Sequence, residues 1–132
     1  MDDAGQPLRI LLVEDDADSA EELAELLESY GWSVGTAHTT REAEQLRTAS
    51  EFDLAIIDLE LGANSGVDLA LQWGALAPAL HIVLLSGRKL SQPEQARLGR
   101  KIPDVLIKPL EMGALLAALP PSTPAETASP PE

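Results

Sequence analysis

The sequence predicts an α/β fold, a doubly wound five-stranded parallel sheet held between two layers of helices in a three-layer α/β/α sandwich. Three observations carry this. Five apolar runs of strand length recur along the 132 residues. Segments whose apolar residues repeat at three and four positions lie between them. The clearest runs are apolar throughout and do not alternate, which marks strands covered on both faces.

Leu8 to Val13, apolar apart from Arg9, forms the first strand. From Ala17 to Tyr30 the positions Ala20, Leu23, Leu26, Leu27 and Tyr30 recur at helical spacing, with Glu21, Glu22, Glu25 and Glu28 on the other face. Gly31 ends that helix. Ser33 to Ala37 is a weaker second strand, and Thr39 with Glu42 resembles a capping box opening a helix through about Ala49. Asp53 to Asp58 is the third strand, followed by a helix over Ser65 to Ala77 that Pro78 closes. His81 to Ser86 is the fourth strand. Ser91 and Glu94 suggest a second capping box, with Pro93 tolerated in the first turn and Gly99 and Pro103 bracketing a short helix. Asp104 to Lys108 is the fifth strand, and Glu111 to Leu119 a final short helix. Residues 120–132 hold Pro, Ser, Thr, Ala and Glu but no large apolar side chain, and are expected to be a disordered tail. The expected organisation is a flexible N-terminus (1–6), one domain (7–119) and that tail (120–132).

Composition narrows the function. The chain has no cysteine, which rules out disulfides and thiolate metal sites. Met1-Asp2-Asp3-Ala4-Gly5 lacks the basic-then-apolar order of a signal peptide, and no run approaches membrane-spanning length, so a cytoplasmic protein with no membrane contact is expected. A net charge of −13 argues against direct nucleic-acid binding, which needs cations to displace counterions. The charge is uneven: residues 1–87 hold three basic and seventeen acidic side chains, whereas 88–108 hold six basic and two acidic. The basic stretch is expected to form one face, either a solvated surface or a docking face for a partner.

If the five runs are parallel, their C-terminal ends place Glu14, Asp15, Asp58, Ser86 and Lys108 at one edge, where open α/β sheets hold their ligands. The turn Glu14-Asp15-Asp16 would repel a pyrophosphate and suits a hard cation with oxygen ligands. Asp58 could attack phosphorus to form an acyl phosphate once neighbouring charge is neutralised by metal. Ser86 would hydrogen-bond a phosphoryl oxygen, and Lys108 would pair first with Asp58 and then with the phosphoryl group. Each residue also has an ordinary explanation. Acids favour helix N-termini, aspartate and serine start turns, and lysine reaches out to solvent.

Taken together, Leu11-Leu12-Val13-Glu14-Asp15-Asp16, Ile57-Asp58-Leu59-Glu60-Leu61 with Gly66, Leu85-Ser86-Gly87 and Ile107-Lys108-Pro109 resemble the signature set of two-component response-regulator receiver domains. The resemblance spans about residues 7–119 and implies a flavodoxin-like strand order, 2-1-3-4-5. It implies a single-domain response regulator in a phosphorelay, a signalling phosphoacceptor and not a conventional enzyme. A histidine kinase or histidine phosphotransfer protein would pass its phosphoryl group to Asp58. Glu14, Asp15, Asp58 and the backbone carbonyl of Glu60 would hold Mg²⁺, Ser86 matches the switch hydroxyl and Lys108 the conserved-type lysine. Gly87 would leave room for the phosphoryl group, and Lys108-Pro109 resembles the family's cis peptide. Glu60 and Arg88 align with positions that influence access of hydrolytic water. A downstream protein target and a monomer or phosphorylation-dependent dimer are implied. Two departures stand out: Val105 occupies the place of the usual switch aromatic, and Gly62 replaces a common proline, which would loosen that loop. The alternatives are a degenerate receiver serving as a docking module, and a haloacid-dehalogenase-like phosphohydrolase, whose acidic motifs run in the reverse order.

Overall fold

The structure, a computed structural model, describes residues 8–62, 64–99, 101–102 and 104–119. The expected N-terminal segment 1–6 and tail 120–132 lie outside them. Among the described residues seven strands and five helices follow in the order β1 (Arg9–Val13), α1 (Ala17–Glu28), β2 (Ser33–Ala37), α2 (Thr40–Ala49), β3 (Leu54–Asp58), β4 (Glu60–Leu61), β5 (Asn64–Ser65), α3 (Gly66–Leu76), β6 (His81–Ser86), α4 (Gln92–Leu98), β7 (Val105–Ile107) and α5 (Met112–Ala118). The main sheet is parallel in every pairing and ordered β2-β1-β3-β6-β7. Counting its five strands alone, this is the 2-1-3-4-5 order that the resemblance implies.

Continuous apolar strands produce two cores because successive side chains alternate between faces. Leu11, Val13, Ala55, Ile57, Ile82 and Leu84 face one layer, packed with Ala43 of α2, Val67, Ala70 and Trp73 of α3 and Leu98 of α4. Ile10, Leu12, Leu54, Ile56, Val83 and Leu85 face the other, with Ala20 and Leu27 of α1 and Leu115 of α5. Trp73 is wholly buried, and its indole Nε1 donates to Glu44 Oε2 at 2.5 Å, which ties α3 to α2. The central strand β3 is buried at every residue.

Helix ends follow the expected side-chain signals. Thr39 caps α2 by accepting from Glu42 N at 3.0 Å, but the Glu42 carboxylate accepts from His38 N and not from the cap residue, so the reciprocal half reaches one residue further back. Ser91 and Glu94 make the full reciprocal box on α4. Gly31 follows α1 at φ +87. Leu26, expected in the buried stripe of α1, is 38% exposed, because the helix seats on the sheet through Ala20 and Leu27. Tyr30 lies beyond α1 and stacks on Trp32, with ring centroids 5.4 Å apart. The small antiparallel ribbon β4–β5 is an addition to the expected elements, and Gly62 at φ +61 turns the chain there, a conformation closed to proline. No helix among the described residues is long and apolar enough to cross a membrane.

The expected basic face is partly neutralised within the molecule. Arg88 pairs with Glu60 and Glu94, Arg97 with Asp68, and Lys108 with Glu14 and Asp58. Val105 is half-buried and packs against the α2–α3–α4 core.

Candidate functional site

Because β1, β3, β6 and β7 are parallel, their C-terminal ends share one rim of the sheet. Glu14 and Asp15 follow β1, Asp58 is the last residue of β3, Ser86 the last of β6, and Lys108 follows β7. The rim opens into a cavity of about 630 Å³ whose walls include Glu14, Asp15, Asp58, Glu60, Gly87, Arg88 and Lys108.

Glu14 and Asp58 are buried, at 4% and 6% exposure, while Asp15 is exposed. The Lys108 ammonium donates to Glu14 Oε1 and to Asp58 Oδ2, each at 3.1 Å. The remaining oxygens of the buried pair take backbone donors: Asp58 Oδ1 accepts from Glu60 N and Glu14 Oε2 from Asp16 N, both at 3.2 Å. One carboxylate oxygen from each of Glu14, Asp15 and Asp58 lies within 4.8 Å of the others. Burial, then the adjoining Asp58 carboxyl, push Glu14 above its ordinary value, against the lowering pull of the Asp16 amide and Lys108. Burial disfavours the Lys108 ammonium, but its bonds to Glu14 and Asp58 outweigh that and hold it above the usual lysine value.

One cation thus faces three acids, and the surplus negative charge is concentrated on hard oxygen donors. That donor set fits a hard divalent cation such as Mg²⁺, which takes carboxylates and fills its other positions with water or phosphate oxygens. Lys108-Pro109 is cis, as the resemblance implies.

The backbone of Asp58 is fixed by its neighbour in space. A Cβ added to Gly66 would lie 2.0 Å from the Asp58 carbonyl oxygen, and the Gly66 amide donates to Leu59 O at 2.7 Å. Only glycine allows α3 to start this close to the strand. At Gly87 an added Cβ would find only Lys108 Cδ, at 4.0 Å, so the cavity has room there.

Ser86 reaches the rim, but its hydroxyl is engaged away from the carboxylates. It donates to the Arg88 carbonyl and accepts from the Arg88 amide at 3.1 Å. Arg88 in turn joins Glu60 on the β3 side to Glu94 on α4. The Arg88 hydrogen bonds, then the Ser91 amide, hold Glu94 down at about 2. Sequence reasoning aligned Glu60 and Arg88 with influential positions but did not pair them. No local pattern announces a contact across 28 residues. His38, whose Nδ1 lies 3.0 Å from the Glu14 carbonyl oxygen, also escaped notice, since it begins an ordinary polar loop.

Residues 10–120 match the response regulator receiver domain family, and the chain belongs to it. It is similar to the alginate biosynthesis transcriptional regulatory protein AlgB of Pseudomonas putida, 33% identical over 101 residues that cover 76% of this chain and 22% of that protein. It is also similar to the transcriptional regulatory protein PdtaR of Mycobacterium tuberculosis, 31% identical over 118 residues, 89% of this chain and 57% of the relative. The chain therefore spans about a fifth of AlgB and just over half of PdtaR. Among solved structures, a response regulator from Burkholderia pseudomallei with a phosphorylated aspartic acid, calcium ion and citrate superposes at a TM-score of 0.77 with 30% identity, covering 91% of this chain and 70% of that one. The response regulator TrrA of Thermotoga maritima in complex with Mg²⁺ and BeF gives 0.72 at 25% identity, covering 83% and 94%.

Proposed function

We propose that this receiver domain works as a phosphoryl-accepting switch, with Asp58 as the acceptor and a histidine of a kinase or phosphotransfer protein as the donor. The observation that carries the reading is the Asp58 carboxylate itself, buried at the rim, bonded to Lys108 and within 4.8 Å of two further acids. The phosphorylated aspartic acid in the Burkholderia pseudomallei structure and the Mg²⁺–BeF in TrrA support it.

A carboxylate oxygen of Asp58 forms the new bond to phosphorus as the P–N bond to the donor imidazole breaks. The electron pair of that bond stays on the ring nitrogen, which regains a proton from solvent. Mg²⁺ held by Glu14, Asp15, Asp58 and the Glu60 carbonyl would neutralise charge on the transferring oxygens. Lys108 exchanges its Asp58 contact for a phosphoryl oxygen, and the Glu60 amide keeps the carboxyl oriented. Gly87 leaves the incoming group its space. Ser86, the switch hydroxyl at the end of β6, is a further donor beside the rim. Its move toward a phosphoryl oxygen draws the loop after β6 inward and presents an altered surface to a downstream protein. Hydrolysis of the acyl phosphate resets the state. The fold is thus a signalling module that catalyses only its own phosphorylation and dephosphorylation.

Intact-mass measurement after incubation with acetyl phosphate and Mg²⁺ tests this directly. The parent should gain one phosphoryl group, and Asp58→Asn should gain none. An unmodified parent would leave the docking-module reading in its place.

A further inference from the structure

Arg88 stands at the junction between the rim and α4. Its backbone is clamped by Ser86 at both polar atoms, the amide donating to the hydroxyl oxygen and the carbonyl accepting the hydroxyl proton. Its guanidinium reaches in two directions: Nε donates to Glu60 Oε2 at 2.9 Å, while Nη1 and Nη2 donate to the two oxygens of Glu94 at 3.0 and 2.8 Å. Nη1 also donates to Lys89 O at 2.9 Å, so four of the five guanidinium N–H groups are used.

Glu94 has a second task. Its Oε1 accepts from Ser91 N at 2.8 Å, and its own amide donates to Ser91 Oγ at 3.2 Å, the reciprocal cap of α4. That helix has seven residues and buries only Leu98, so it draws little stability from propensity or packing and depends on its cap. One carboxylate thus serves both the Arg88 fork and the first turn of the helix.

A serine hydroxyl has a single proton. It cannot donate to the Arg88 carbonyl and to a phosphoryl oxygen at once. On the reading that Asp58 is phosphorylated and Ser86 engages the phosphoryl group, Arg88 loses the carbonyl half of its backbone clamp at the moment of switching. We propose that Arg88 is a positioning residue that carries the state of Asp58 to α4, acting as a latch between Glu60 and the Glu94 cap that opens when Ser86 lets go. The phosphoryl dianion reinforces the opening, because Arg88 lines the same cavity and the new oxygens compete with Glu60 and Glu94 for its guanidinium. The signal then needs no aromatic at residue 105.

Amide hydrogen exchange with and without beryllofluoride and Mg²⁺ tests the latch, in the parent and in Arg88→Ala, Arg88→Lys and Asp58→Asn. In the parent the probe should protect the amides around Asp58 and accelerate exchange over residues 90–97 by about fivefold, a change of the size that one capping interaction carries. Arg88→Ala should exchange fast in that segment before the probe is added and respond to it by less than about twofold, while protection around Asp58 persists. Arg88→Lys keeps a charge that holds one acid at a time, and its response should fall between the two. The latch is overturned if the bound probe leaves exchange in α4 unchanged or slower in the parent, or if Arg88→Ala and Arg88→Lys both respond as the parent does. Absence of protection around Asp58 in the parent, together with no mass gain from acetyl phosphate, would remove the phosphoacceptor reading and the latch with it.

Discussion

At the scale of single residues, the site stores unfavourable charge. Asp58 and Glu14 are both buried, close together, and share one ammonium. Removing one of the two carboxylates should therefore stabilise the metal-free protein: Asp58→Asn is expected to gain about 1 kcal/mol at neutral pH in urea unfolding. The pH dependence follows from Glu14, whose value in the folded state lies above its ordinary one. A raised carboxyl favours the folded state at low pH, where it is protonated. Its contribution is fully present below the unfolded value and is lost as pH rises through the folded one. The melting temperature of the metal-free protein should thus decline as pH climbs out of the ordinary glutamate range, and Glu14→Gln should flatten that decline. A parent curve that rises over the same interval would contradict the assignment. Of these residues, Glu14, Asp15, Asp58, Ser86 and Lys108 are legible in the sequence because each ends an apolar run, where a polar side chain has a reason to be. The pairing of Arg88 with Glu60 and Glu94 and the contact of His38 with Glu14 are not, because those partners are fixed only by the folded chain.

Among the elements, the strands are the most legible. A strand covered on both faces must be written in apolar residues throughout, so β1, β3 and β6 stand out from their surroundings. Caps are legible too, since Ser91 and Glu94 meet through local geometry alone. The β4–β5 ribbon escapes because two residues per strand carry no period, and Leu26 misleads because helical spacing does not say which flank of the stripe meets the sheet. The start of α3 carries the sharpest expectation. Gly66→Ala would force a methyl group against the Asp58 carbonyl, and should cost about 3 kcal/mol or more in chemical denaturation. Ser91→Ala, by contrast, should cost about 1 kcal/mol, with faster hydrogen exchange confined to α4 and its flanks.

For the molecule as a whole, a ligand that binds only the folded rim should stabilise every element at once. Mg²⁺ at a hundred times its dissociation constant would add about 2.7 kcal/mol. Trp73, wholly buried between α3 and the sheet, is a suitable reporter of that global transition. The thermal midpoint read from its fluorescence should rise with Mg²⁺ in the parent, and the rise should vanish in Glu14→Gln combined with Asp15→Asn. An equal rise in the double variant would place cation binding elsewhere on this acidic chain. The close seat of Gly66 against the Asp58 carbonyl has a mechanical consequence at this scale. Against α3 the Asp58 backbone rests on a helix start with no room for a methyl group, whereas the neighbouring α4 is a short helix moored by solvent-facing charges. A displacement that begins at Asp58 should meet less resistance toward α4 than toward α3.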